Sequence, residues 1–346
     1  RVVALAGAPK GFAQTIGGRN GAACTGGLDG LWTRAAGTWH HAPKAGGPPS
    51  SDISSVVADG ARLWVGTFDQ GLASYDAEHG WRHVAGIDAR INAMVIEPRS
   101  DGSRLWIGTA EGIQVVDGDG DVVKRLGKND GLPSRSVLAM ARLSDGRIVA
   151  GTSVGAAFVN GDAIRRVGPR PPPPPAATEP KRLDDRAVGN VWAIAEANGS
   201  LWLGTTTGLY RGPATAWTSK DGSDDSAAML ERWQRMSVAT GHLKDDWVTA
   251  IAVKGDVVWV GTYNGGVSRI EGDTATQLGG GWVNPSGLVW DGDRLLAATM
   301  DGLVIGDGRT QTWTTKRALP GRDTTGAVRV GQTLWVATRR GLATID

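Results

Sequence analysis

The sequence contains one cysteine, Cys24, in 346 residues. A lone thiol excludes a disulfide or a two-cysteine metal site within one chain, and Cys24 reads as a small buried thiol standing where other repeat copies have glycine. No apolar run approaches the length of a membrane span. Stripes of 3.6-residue period, the mark of amphipathic helices, are nearly absent. An excess of either charge is missing too: 37 basic residues face 35 acidic ones, for a formal net charge of +2. That balance lacks the basic footprint of a nucleic-acid binder. The five histidines (40, 41, 79, 83 and 242) show no HxH or HExxH spacing. No GxSxG elbow, phosphate loop or dinucleotide fingerprint stands in a strand–helix setting.

What the chain has is one phrase, repeated. Five copies are nearly identical: Leu63-Trp64-Val65-Gly66-Thr67, Leu105-Trp106-Ile107-Gly108-Thr109, Leu201-Trp202-Leu203-Gly204-Thr205, Val258-Trp259-Val260-Gly261-Thr262 and Leu334-Trp335-Val336-Ala337-Thr338. Two have lost the tryptophan, at Ile148 to Thr152 and Leu295 to Thr299, and the first is worn down to Gly21 to Thr25. The terminal threonines fall at 25, 67, 109, 152, 205, 262, 299 and 338, with steps of 42, 42, 43, 53, 57, 37 and 39 residues. A unit of about 40 residues fits a four-stranded propeller blade. The Val, Ile, Thr and Trp content, cut by Gly and Asp-Gly turns, belongs to short strands and hairpins.

The second unit reads strand by strand as Ile53 to Val57, Leu63 to Thr67, Leu72 to Asp76 and Trp81 to Ala85. Strand side chains alternate, so the Trp and the Gly two residues later share a face. The Trp is expected to pack against the neighbouring blade, with the Gly admitting its close approach. The last unit stops after its third strand, Gly341 to Ile345, while Val2 to Ala6 is strand-like and precedes the first unit. A ring must close or leave edges exposed. The expectation is a single all-β domain over 1–346, a β-propeller of eight four-stranded blades closed by pairing the N-terminal strand with the last blade. Seven blades with a decorative segment is the alternative.

Asn129-Asp130-Gly131-Leu132-Pro133-Ser134-Arg135-Ser136-Val137, followed by Ser144-Asp145-Gly146 and the strand phrase, resembles the two-component regulator propeller repeat. This repeat builds the extracytoplasmic sensors of bacterial hybrid histidine kinases. The resemblance covers all eight units, though its recurring residues are blade residues, and this sequence carries no kinase, receiver or membrane segment. It implies sensing or binding outside the cytoplasm: periplasmic, cell-surface or secreted. The start at Arg1 rather than Met fits either a removed export signal or trimming.

Function is expected where the repeat is interrupted or its loops gather. One insertion, about 169–186, holds five consecutive prolines, Pro171 to Pro175; they favour polyproline II and suit a spacer or a segment that docks on a partner's aromatic groove. A second, about 212–246, is long enough to suggest use. Both are expected to project from the ring. Loops between blades and loops after the second strand share one face. Together they offer Phe68, Asp69, Arg90, Arg135, Trp192, Asp246, Trp247, Tyr263, Asn264, Asp301, Arg339 and Arg340 as ligand-binding candidates. Such aromatics among Asn, Asp and Arg suit a glycan or peptide. Asp117, Asp119 and Asp121 alternate with glycine and read as a hairpin turn or as oxygen ligands for Ca²⁺. No catalytic set emerges, and nothing matches the His and Glu of streptogramin lyases. The leading expectation is a non-enzymatic propeller that binds a protein partner or extracellular polymer; the alternative is a propeller-fold lyase or hydrolase acting on a polysaccharide or small molecule.

Overall fold

The computed structural model describes residues 2–4, 13–19, 22–27, 30–41, 49–50, 53–60, 62–67, 69–76, 78–161, 163–169, 189–216, 233–319, 321–330, 333–338 and 341–345. These residues form eight four-stranded antiparallel sheets, each a blade. Seven are built from consecutive strands, and their innermost strands are Ala13–Arg19, Ile53–Asp59, Ile91–Arg99, Val137–Arg142, Val191–Ala197, Val248–Lys254 and Val283–Asp291. The eighth runs Thr324–Val330, Thr333–Thr338, Gly341–Ile345 and then Val2–Ala4, with Val2 opposite Ile345 and Ala4 opposite Ala343. The chain's two ends therefore share one sheet. Each innermost strand lies beside the next, and the eighth blade's lies against the first's, so the ring closes. Among the described residues, no helix is long and apolar enough to cross a membrane.

The repeated phrase is the second strand of each blade, and each of its residues has a physical task. Trp64 is 1% exposed and clusters with Ile91, Leu105, Ile107 and Val116 of the following blade. Trp106, Trp202 and Trp259 do the same against the blades after theirs. The side chain of Trp335 lies outside the described residues. The glycine two residues on is needed for space: a Cβ at Gly66 would sit 2.7 Å from Cγ2 of Ile91, and one at Gly204 would sit 2.6 Å from Cγ1 of Val248. In blade seven Ala298 takes that place, and the following blade opens with Thr324, whose Oγ1 accepts the Thr299 N–H at 2.7 Å.

The closing threonine staples the next turn. Its hydroxyl donates to a glycine carbonyl at the start of the third strand: Thr67 to Gly71 at 2.9 Å, Thr152 to Gly155 at 2.8 Å, Thr205 to Gly208 at 2.8 Å and Thr299 to Gly302 at 2.7 Å. The same oxygen accepts an N–H from inside the turn, as from Gln70 at 2.9 Å and Thr207 at 3.0 Å. A buried carbonyl and a partly buried N–H are thereby bonded.

Register corrects the reading of the first unit. In seven blades the first inner-strand residue pairs with the motif Thr, as Ile53 does with Thr67 and Val191 with Thr205. In blade one Ala13 pairs with Gly27, so Gly27 holds the Thr place and Gly26 the Gly place. Cys24 occupies the Trp place rather than the Gly place, and it is half-buried rather than buried. A slip of two residues keeps every side chain on its own face, so alternation alone does not reveal it.

The second insertion is also redrawn, and the first is left untested. Residues 170–188 lie outside the described residues. Of the second segment, Gly208–Pro213 is the third strand of blade five, Gln234–Met236 is its outer strand and 237–247 is the connection to blade six. The excess residues fall in sequence between the third and outer strands, and 217–232 lie outside the described residues.

Candidate functional site

Strands alternate direction within a blade, so the connection between blades and the turn after the second strand emerge on one face, here called the mouth face. Blades five to seven place four aromatic rings there. Trp192 is the second residue of Val191–Ala197, and Trp247 immediately precedes Val248–Lys254. Tyr263 immediately follows Val257–Thr262, and Trp282 immediately precedes Val283–Asp291. Ring centroids step from Trp192 to Trp247 by 6.3 Å, to Tyr263 by 4.6 Å and to Trp282 by 6.0 Å. The last two pairs are nearly parallel, at 21° and 16°. Trp247 is 38% exposed and Trp282 47%. With Val154 and Val238, they put four of the seven large exposed hydrophobic residues among the described residues on the mouth face of blades four to seven. Scattered apolar residues need no explanation, but an exposed contiguous group marks an interaction surface.

Three carboxylates on this face are engaged by the scaffold. The Asp245 carboxylate accepts the N–H of Trp247 at 3.3 Å and of Asn264 at 2.8 Å, and the Tyr263 N–H reaches the Trp247 carbonyl at 2.9 Å. Asp246 accepts the Val238 N–H at 2.7 Å and lies 3.9 Å from Arg235. Asp301 is gripped by Arg317 at 2.7 Å and Arg322 at 3.3 Å. The hydrogen bond from Arg317, and then the charges of both arginines, hold the Asp301 carboxyl below its ordinary value against a smaller desolvation effect. The backbone that carries Trp247 and Tyr263 is thus pinned by short-range hydrogen bonds, while Trp247 and Trp282 are exposed and Trp192 and Tyr263 half-buried.

Trp192 also occupies a special backbone position. The inner strands carry a bulge at the second residue, seen as a skipped partner between Ile91 and Ala93, Val191 and Ala193, and Val248 and Ala250. In three blades the bulged side chain reaches across to the first inner-strand carbonyl of the next blade: Asn92 to Val137 at 2.8 Å, Thr249 to Val283 at 2.8 Å and Asn284 to Thr324 at 2.6 Å. These bonds latch neighbouring blades. At Trp192 the latch gives way to an indole whose buried N–H has no partner and whose ring lies near Trp247 of the next blade. Bulges re-aim side chains at functional sites, and here one brings an aromatic to the mouth.

Of the other candidates, Asp69, Arg90 and Asn264 are exposed on the mouth face, and Arg135 pairs with Glu111 at 3.3 Å. Asp69, Arg90 and Arg135 belong to the blade two to four side, away from the aromatic array. Phe68, Arg339 and Arg340 lie outside the described residues. Trp282, Arg317 and Arg322 are additions. Trp282 had a readable signal, since Trp282-Val283 repeats the register of Trp247-Val248. The Asp117, Asp119 and Asp121 segment forms a hairpin turn in which Asp117 Oδ1 accepts the N–H groups of Asp119 at 3.1 Å and Asp121 at 3.0 Å. Among the described residues no group of three or more His, Cys, Asp or Glu is placed to hold a metal. His79 binds Asp76 at 2.9 Å and His83 contacts the Gln70 carbonyl at 3.3 Å, both at the outer strand of blade two, while His242 lies against Thr240 and the Asp273 carbonyl. None of these histidines meets a carboxylate at the mouth of the channel.

The fold defines the class, an eight-bladed β-propeller. In sequence, no family model and no curated protein matches the chain. In structure, it is similar to the computationally designed Ika8 protein, at 15% identity and a TM-score of 0.65 over 97% of this chain and 96% of that one. It is similar to BamB from Moraxella catarrhalis, at 15% identity and a TM-score of 0.61 over 95% of each chain. It also matches the extracellular domain of a hybrid two-component system from B. thetaiotaomicron, at 15% identity and a TM-score of 0.59. That match spans 97% of this chain and 38% of the other. Similarity at such identity is similarity of fold.

Proposed function

We propose that this propeller is a non-enzymatic recognition module that works outside the cytoplasm. It binds a protein partner or extracellular polymer through the mouth face of blades five to seven. The observation that carries the reading is the array of Trp192, Trp247, Tyr263 and Trp282, in which half-buried Trp192 and Tyr263 adjoin the exposed rings of Trp247 and Trp282. Large amphipathic rings in an ordered setting are the usual anchors of recognition surfaces. The extracytoplasmic setting is supported by the resemblance of the repeated phrase to sensor propeller repeats and by the extracellular origin of a structural neighbour. A lyase or hydrolase reading wants a base and carboxylates converging on the channel, and the described histidines lie elsewhere.

The test is affinity capture from the native extracytoplasmic fraction with the intact protein and with a W247A/W282A variant. The expected result is a partner retained by the intact protein and lost by the variant, with both melting at similar temperatures because these rings are exposed. Equal retention by both proteins would move the recognition surface elsewhere.

A further inference from the structure

We infer that Asn284 to Gly287 form a strap across the channel that ties blade seven to blade five and so sets the distance between the two strands that carry the ends of the aromatic array. In seven blades the inner strand bulges by one residue: three steps along it, as from Ile91 to Met94, face two steps along its partner, from Thr109 to Ile107. In blade seven five steps, from Val283 to Leu288, face two, from Thr299 to Ala297. Two residues beyond the common bulge must leave the ladder there.

The residues suit that path. Pro285 is exposed and has no N–H, so leaving the ladder costs it no donor bond. Both feet of the excursion are buried. The Asn284 amide donates to the Asp323 carboxylate at 2.9 Å and to the Thr324 carbonyl at 2.6 Å, which fixes one foot to blade eight. At the other foot the backbone closes too tightly for a side chain. A Cβ on Gly287 would lie 2.7 Å from the Asn284 oxygen and 2.9 Å from the Ala298 oxygen.

The spare chain has a destination. The inner strands of blades five and seven come within 8 Å of each other, Cα to Cα, although blade six stands between them. An inner strand has its partner strand on one edge and the channel on the other, so this approach crosses the channel. From Leu288 to Asp291 the blade-seven strand stays in step with Ala297 to Arg294, and the blade-five strand keeps the common bulge. The length to cross therefore exists only at 284–287. The two strands that meet are the ones that hold the array's ends: Val191–Ala197 contains Trp192, and Val283–Asp291 directly follows Trp282. Blade five, whose bulge holds an indole where Asn92 and Thr249 latch the next blade, is tied instead to the blade beyond it.

Deleting Pro285 and Ser286 tests the strap, since it leaves Asn284 as a single bulged residue with its bonds to blade eight. The expected result is a cooperatively melting protein in which amide exchange at 191–197 is faster by about tenfold, or 1.4 kcal/mol of local stability. Exchange at 91–99 and at 324–330 should not move. Unchanged exchange at 191–197 in the folded variant overturns the strap, as does acceleration confined to 324–330. A chain of full length gives the second measurement, which holds even if the deletion prevents folding. In a C24S background, P285C paired with A193C or with A195C should be joined by a short bismaleimide, and P285C paired with A93C of blade three should not. No cross-link at either blade-five position overturns the strap. Capture by the W247A/W282A variant decides the mouth-face reading separately, so either can fail without the other.

Discussion

At the scale of the residue, the most telling position is the motif threonine. Thr205 is fully buried, donates to the Gly208 carbonyl and accepts the Thr207 N–H. Valine is nearly the same shape and can do neither. A T205V variant should lose roughly 1–3 kcal/mol, the cost of leaving buried backbone groups unsatisfied, read as a lowered midpoint in urea. An unchanged midpoint would mean that the turn rearranges to satisfy its own backbone. The threonine recurs visibly in the sequence, but its task does not, because a β-branched residue in a strand already has a sufficient explanation in packing. The tryptophan and glycine were legible as a pair because alternation puts them on one face. The first copy was misread by two residues, since with Cys24 in the Trp place and Gly27 in the Thr place no side chain marks the register.

At the scale of the element, the inner strand joins two functions through one bulge. Its second residue latches the next blade where it is Asn92, Thr249 or Asn284, and reaches the mouth array where it is Trp192. An N92A variant should be less stable by about 1 kcal/mol, the net worth of one hydrogen bond. Its urea slope should be unchanged, because the same surface is exposed on unfolding. No loss of stability would show that the Val137 carbonyl is satisfied without Asn92. None of this was readable beforehand. A bulge leaves no trace in alternation until the partner strand is known, and a carbonyl in the next blade lies some 45 residues away in the chain. The strands themselves were legible to within a residue or two, as at Leu72–Asp76 and Gly341–Ile345. The insertion after Gly212 was drawn too long because a three-residue outer strand, Gln234–Met236, is too short to announce itself.

At the scale of the whole molecule, a ring of similar blades has been given one distinctive side. Closure through Val2–Ala4 leaves no terminal blade edge open. Each blade–blade seam is a core of its own, so the scaffold tolerates variation in its loops. Blades five to seven use that freedom to gather aromatics from separate connections: Trp192, Trp247, Tyr263 and Trp282 span about 90 residues of sequence. The first three were named from loop position alone, and the array they form with Trp282 became visible only when the ring brought three blades side by side. The central claim is that recognition happens on this face. Amide hydrogen exchange, measured with and without the captured natural partner, tests it most directly. The account predicts slowed exchange at 189–193, 245–248, 263–266 and 281–284, and no change at opposite-face turns such as 117–121 and 198–200. Protection confined to those opposite-face turns, with the four mouth segments unaffected, would contradict it.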